Sequence, residues 1–79
     1  MNLSKNKQIE SKRLIRRKEV QSKTGLGASS IYALMKKDKF PKAITLSERR
    51  VAWLESDVDQ WISERIAITE ASIATVEAQ

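Results

Sequence analysis

The sequence predicts a mainly α-helical domain with one small β-hairpin, on three observations. Two short amphipathic segments meet at "TGLGASS" (residues 24–30), where a glycine ends one helix and the next begins almost at once. Two short apolar runs, "KAITL" and "VAWL", flank the polar "SERR" (residues 47–50), which is the pattern of a hairpin. A third helical pattern, "ESDVDQWISERIA", follows directly.

Taken in order, residues 1–12 are polar, with scattered lysines and no sustained period, and read as a flexible basic arm. "RLI" (residues 13–15) suits a short extended piece able to pair in a small sheet. From Arg16 or Arg17, "RKEVQSKTG" suits a two-turn helix stopped by Gly25, with Val20 as its apolar anchor and Leu26 just beyond. The next helix is expected from about Ala28 to Lys37. Ile31, Leu34 and Met35 share one face, Ser29, Ala33 and Lys36 fall opposite, and Ser30, Tyr32 and Lys37 lie on the flanks. Gly27 stands where a Ser or Asp would cap this helix better. "DKFP" ends it, because Phe40 precedes a proline and is pushed towards extended geometry. The hairpin draws its apolar content from Ile44, Leu46, Val51, Trp53 and Leu54, around a loop of about four residues. Ser56 is the expected N-cap of the last helix, with Asp57 and Asp59 in its first turn and Val58, Trp61, Ile62 and Ile66 on its buried face. The last dozen residues either prolong this helix or fray, with Ile66, Ile73 and Val76 as a weak contact stripe. The organisation is therefore an arm over 1–12, a domain over 13–67 and a tail over 68–79. Ile31, Leu34, Met35, Trp53 and Trp61 are assigned to the core by their period.

Composition narrows the function classes. At 79 residues, 41% hydrophobic and 32% charged, the chain fits one small domain, and a domain of this size buries only about 60% of its unfolded surface. Cysteine and histidine are both absent, which removes disulfides, thiolate chemistry, the usual zinc sites and histidine acid–base catalysis. Ten carboxylates remain, but no helical spacing pairs them, so neither an enzyme, a metal site nor a cofactor is expected. No apolar run approaches the ~18 residues of a membrane span, and no apolar stretch of a signal peptide follows the basic N-terminus. The expectation is a cytoplasmic, nucleoid-associated protein with no membrane partner. The net charge of +5 is unevenly spread: 14 Lys and Arg against 4 Asp and Glu in residues 1–50, and 1 against 6 in residues 51–79. A basic half of this kind attracts polyanions, either nucleic acid or an acidic partner.

Two short helices joined by a tight turn and followed by a hairpin make a winged helix-turn-helix. In that arrangement the second helix enters the major groove of duplex DNA and the first crosses the backbone. The candidate DNA-binding residues follow. Ser29 and Ser30 can hydrogen-bond bases or phosphates, and small side chains at Ser29 and Ala33 let the helix approach base edges. Tyr32 can donate to a phosphate, and Lys36 and Lys37 can reach phosphates or guanine edges. Arg49 and Arg50 sit where a wing meets an adjacent minor groove or backbone. Arg16, Arg17 and Lys18 offer another backbone contact, and cations at a helix N-terminus hint at a bound anion. Each has a plainer alternative: helix-starting serines, a partly buried ring, a dipole-matched lysine terminus and solvated surface arginines.

The stretch "RLIRRKEVQSKTGLGASSIYALMKKDKFPKAITLSERRVAWLESDVDQWISERI" also resembles the AlpA family of phage- and prophage-type regulators, which are themselves similar to phage excisionases and to the winged-helix domain of MerR-type activators. The resemblance covers roughly Arg13 to Ile66 and rests on "TGL", "SSIY", "KFPKAI" and "VAWLESDVDQWI" in combination. It implies a winged helix-turn-helix that binds duplex DNA as a transcription regulator or as a recombination directionality factor. Its recognition positions fall on Ser29, Ser30, Tyr32, Lys36 and Lys37, and its wing on Ser47 to Arg50. At Gly27, Ala28 and Ala33 the chain departs from the family pattern, which often carries Ser or larger polar or basic residues there. An excisionase-like factor that bends DNA for an integrase would use the same surface, whereas a protein-binding adaptor would use the tail or the tryptophan-bearing face. A single short recognition helix further suggests a homodimer or cooperative side-by-side binding, with an integrase or the transcription machinery as further partners.

Overall fold

A computed structural model describes residues 12–78, with side chains placed to Ile73. The expected arm over residues 1–12 lies, Lys12 apart, outside the described residues. The elements run β1 (Leu14–Ile15), α1 (Arg17–Thr24), α2 (Ala28–Lys36), β2 (Ile44–Ser47), β3 (Arg50–Leu54) and α3 (Glu55–Ala78). This is the mainly helical, winged helix-turn-helix architecture predicted above, with one strand added to the hairpin.

β3 is the central strand of a three-stranded antiparallel sheet ordered β1-β3-β2. β1 sets Leu14 opposite Leu54 and Ile15 opposite Trp53. Both members of the second pair are fully buried, so a two-residue strand is anchored by an apolar cross-strand contact in addition to its backbone pairing. On the other edge Ile44 faces Ala52, Thr45 faces Val51, and Ser47 faces Arg50. The hairpin loop is thus shorter than expected: Ser47 and Arg50 pair, and only Glu48 and Arg49 form the turn. Continued pairing satisfies backbone groups that a longer loop would leave to water. No tip residue has a positive φ, so this is not one of the primed turns that match strand twist, and a register shift between Thr45 and Ser47 takes up the mismatch.

α1 ends at Gly25, whose φ of 77° lies in the left-handed region and whose N–H donates to the Gln21 carbonyl at 2.7 Å. Thr24 tightens the turn, donating its hydroxyl to the Val20 carbonyl at 2.8 Å and accepting the Leu26 N–H at 3.2 Å. α2 closes differently. Asp38 takes φ 59°, its N–H reaches the Met35 carbonyl at 3.0 Å, and the Lys39 N–H reaches the Leu34 carbonyl at 2.8 Å. These two bonds form a Schellman motif in which aspartate, not glycine, holds the left-handed position.

The core is Ile15, Val20, Ile31, Phe40, Trp53 and Val58, flanked by Leu26, Leu34, Met35, Trp61 and Ile62 among others. Two indoles also anchor the segment after α2. Trp61 Nε1 donates to the Lys39 carbonyl at 2.8 Å and Trp53 Nε1 to the Pro41 carbonyl at 3.2 Å, while Phe40 packs edge-on against Trp61 with centroids 4.9 Å apart. α3 starts at Glu55, one residue before the expected Ser56 cap. β1 fixes this point: Leu54 pairs with Leu14 and the Glu55 N–H donates to the Arg13 carbonyl at 2.7 Å. Ile66 is 52% exposed instead of buried, because the surface that covers Val58, Trp61 and Ile62 ends before it.

Candidate nucleic-acid interface

Arg16 is the residue from which α1 springs. Its backbone is extended and its carbonyl accepts the Glu19 and Val20 N–H groups at 3.0 Å each. No side chain caps this end, so the Arg17 and Lys18 N–H groups, which precede the first intrahelical bonds, have no acceptor within the helix. Arg17 and Lys18 add two cations to a terminus that the helix dipole already makes positive, an arrangement that a bound anion would favour. Glu19, the acid of this turn, pairs instead with Arg13 at 3.1 Å.

Tyr32 comes from α2 and is 42% exposed. Its ring leans on buried Trp53, with centroids 6.4 Å apart and planes tilted by 55°, so a rigid indole supports it from below. Arg49 arrives from the hairpin tip. Together Arg16, Arg17, Lys18, Tyr32, Arg49 and Val51 line an open cleft of about 380 Å³. Three separate elements therefore converge on one basic concavity floored by an aromatic ring and a valine.

Five of the expected residues line that cleft and five do not. Ser29, Ser30, Lys36 and Lys37 are exposed on α2 or at its C-terminal end, and Arg50 opens β3, exposed and opposite Ser47. Val51 was expected only as hairpin core. Its place two residues from Arg49, on a strand leading from the tip, was the available signal. Among the described residues, the ion pairs engage Arg13, Lys23 and Lys42, while Arg16, Arg17, Lys18 and Arg49 lie outside them. The cleft cations are thus presented to solvent, where they suit a polyanion.

Outside the cleft lining, Glu55 accepts from Lys23 at 2.8 Å and from Arg13 at 2.7 Å, and Lys23 also reaches Asp59 at 2.9 Å. Hydrogen bonds from Lys23 and then Arg13 hold the Glu55 carboxyl below its ordinary value, and hydrogen bonding to Glu55 raises both cations. This network joins the start of β1, the end of α1 and the start of α3. It thereby fixes α1 against the sheet that carries the wing.

The family model of the prophage CP4-57 regulatory protein (AlpA) matches residues 13–66. The chain belongs to the AlpA family. The match spans the stretch on which the resemblance rested and contains every residue of the cleft. Among relatives, an uncharacterized protein, ORF88, of Enterobacteria phage P4 is 42% identical over 59 residues, covering 75% of this chain and 67% of that protein. A protein of Escherichia coli strain K12 named DNA-binding transcriptional activator AlpA is 32% identical over 59 residues, covering 67% of this chain and 84% of that protein. No helix among the described residues is long and apolar enough to cross a membrane.

Proposed function

We propose that this AlpA-family chain is a sequence-specific, duplex-DNA-binding regulator of transcription, with the outward face of α2 in the major groove and the hairpin tip on the adjacent backbone or minor groove. The observation that carries the proposal is the convergence of Arg16, Arg17, Lys18, Tyr32 and Arg49 on one cleft beside the exposed face of α2. Phosphates on either side of the groove meet the cations of α1 and the tip, while Ser29 and Ser30 face base edges across the small Ala33 surface. Lys36 and Lys37 extend the contact along the helix, and Arg50 supports the wing. The name of the Escherichia coli relative supports the same assignment.

Selection of sheared genomic DNA on the purified protein, near physiological salt, tests it. One enriched sequence motif is the expected result, and enrichment no better than background overturns the proposal. On the selected site, these groups give about 4–7 phosphate contacts, so log affinity falls against log salt with a slope on the order of −4 to −6. Arg49→Ala lowers that slope by about 1, whereas Ser29→Ala leaves the slope unchanged and relaxes base preference. Fluorescence anisotropy across a salt series reads both.

A further inference from the structure

α3 outlasts the domain it closes. Val58 is buried and Trp61 and Ile62 are half-buried, but every side chain described from Ser63 to Ile73 is exposed, while the helix continues to Ala78. Helices gain most of their stability by packing an apolar face, and the Thr and Ser of this stretch add no strong intrinsic preference. Ile66 and Ile73 are 52% and 51% exposed. They stand seven residues apart. Ile62, Ile66, Thr69 and Ile73 are spaced by four, three and four, and the sequence extends the series by three to Val76. This is heptad spacing, with Ile66 and Ile73 at a and with Ile62, Thr69 and Val76 at d. Ile68, also 52% exposed, lies off the stripe.

The flanking charges select an orientation. Arg65 occupies the g position before Ile66, and Glu70 the e position after Thr69. In a parallel, in-register pair, g of one helix faces e of the following heptad on the other, so Arg65 meets Glu70 of the second copy twice over. An antiparallel pair centred on Thr69 instead brings the two Glu70 carboxylates together, which is repulsive.

We propose that α3 beyond Ile62 is a dimerisation surface, and that its occupant is the same segment of a second copy, packed parallel and in register. β-branched Ile at a favours two strands. The stripe is short, and two such helix faces bury less than the ~1,200 Å² at the lower end of standard interfaces, so the dimer is weak and concentration-dependent. Dimerisation itself does not rest on the DNA-binding proposal. Where that proposal holds, the two clefts sit at the same end of a two-fold pair and require half-sites in inverted orientation.

The chain contains no cysteine, so single cysteines report the geometry in the full-length protein. Ile73→Cys brings two thiols together in the parallel register alone, because an antiparallel pair centred on Thr69 sets position 73 against 65. Ala67→Cys, off the stripe, is the control. On mild oxidation, Ile73→Cys forms a covalent dimer several-fold faster than Ala67→Cys, and equal rates overturn the proposal. Sedimentation equilibrium across a concentration series gives the wild-type chain a mass rising towards a dimer. Ile66→Lys with Ile73→Lys stays monomeric at an unchanged melting temperature, since both side chains are exposed. A wild-type mass that remains monomeric overturns the proposal. So does a dimer that survives the double substitution, which points to another surface such as the exposed Ile44 and Leu46 of β2. None of these measurements involves DNA, so failure of the DNA-binding proposal leaves their outcome unaffected.

Discussion

Glu55 joins three elements through one carboxylate, and its chemistry makes stability depend on pH in a defined direction. Its carboxyl sits below the ordinary 4.5 in the folded chain. Its contribution is therefore present above that value and is lost as pH falls through the lowered folded value. Lys23, raised above 10.5, contributes below that value and loses its effect as pH rises through the raised one. Glu55→Gln is expected to lower the melting temperature at neutral pH, with the gap to wild type closing in acid, as followed by circular dichroism. Tyr32 separates packing from binding. Tyr32→Phe keeps the ring on Trp53 and changes stability by no more than about 0.5 kcal/mol, yet a lost hydrogen bond to a phosphate weakens DNA binding roughly tenfold. The sequence pointed to Tyr32 and the cleft cations, because helical period and charge are local signals. It did not point to the Glu55 network, whose partners Arg13 and Lys23 lie 42 and 32 residues away. Contacts of that separation leave no trace in local spacing.

At the scale of elements, the two glycines of "TGLG" behave oppositely despite standing two residues apart. Gly25 has φ 77° and Gly27 has φ −80°, and neither would bring an added Cβ within 4 Å of another atom. Gly25→Ala is therefore expected to cost about 1 kcal/mol through left-handed strain alone. Gly27→Ser, at an extended N-cap, should gain a few tenths of a kcal/mol by supplying the missing cap. Chemical denaturation of both variants checks the contrast. Gly25 was legible as a helix stop because glycine there is a familiar punctuation. The stop at "DKFP" was legible too, but the left-handed backbone of Asp38 was not, because aspartate enters that region only where its surroundings require it, and here two backbone bonds and the indole-anchored segment after it do so. The hairpin showed a similar limit: its strands were evident, but its two-residue turn depended on a register shift that no composition reports.

Across the whole molecule, a small number of buried side chains hold everything else in place. A chain of this length has a stability on the order of 4–12 kcal/mol, and Ile31→Ala in this core is expected to remove about 2–5 of it. Because Ile31 anchors α2 from behind, the same variant should lose DNA binding in proportion to its unfolded fraction, which parallel melts and titrations would show. The charge division along the chain persists in the fold: the cleft lining holds four cations and no carboxylate, and α3 carries most of the acids of the described residues. The element types, the helix-turn-helix with its wing, the apolar faces short of Ile66 and the basic half are all written in the residue order, since each depends on neighbours within a few residues. The fold settled which strand "RLI" pairs with, that Glu55 joins α1 to α3, and that Arg16, Arg17, Lys18, Tyr32 and Arg49 share one cleft. Those outcomes depend on how distant segments close around Trp53, and packing across such distances is settled by the shape of the whole core.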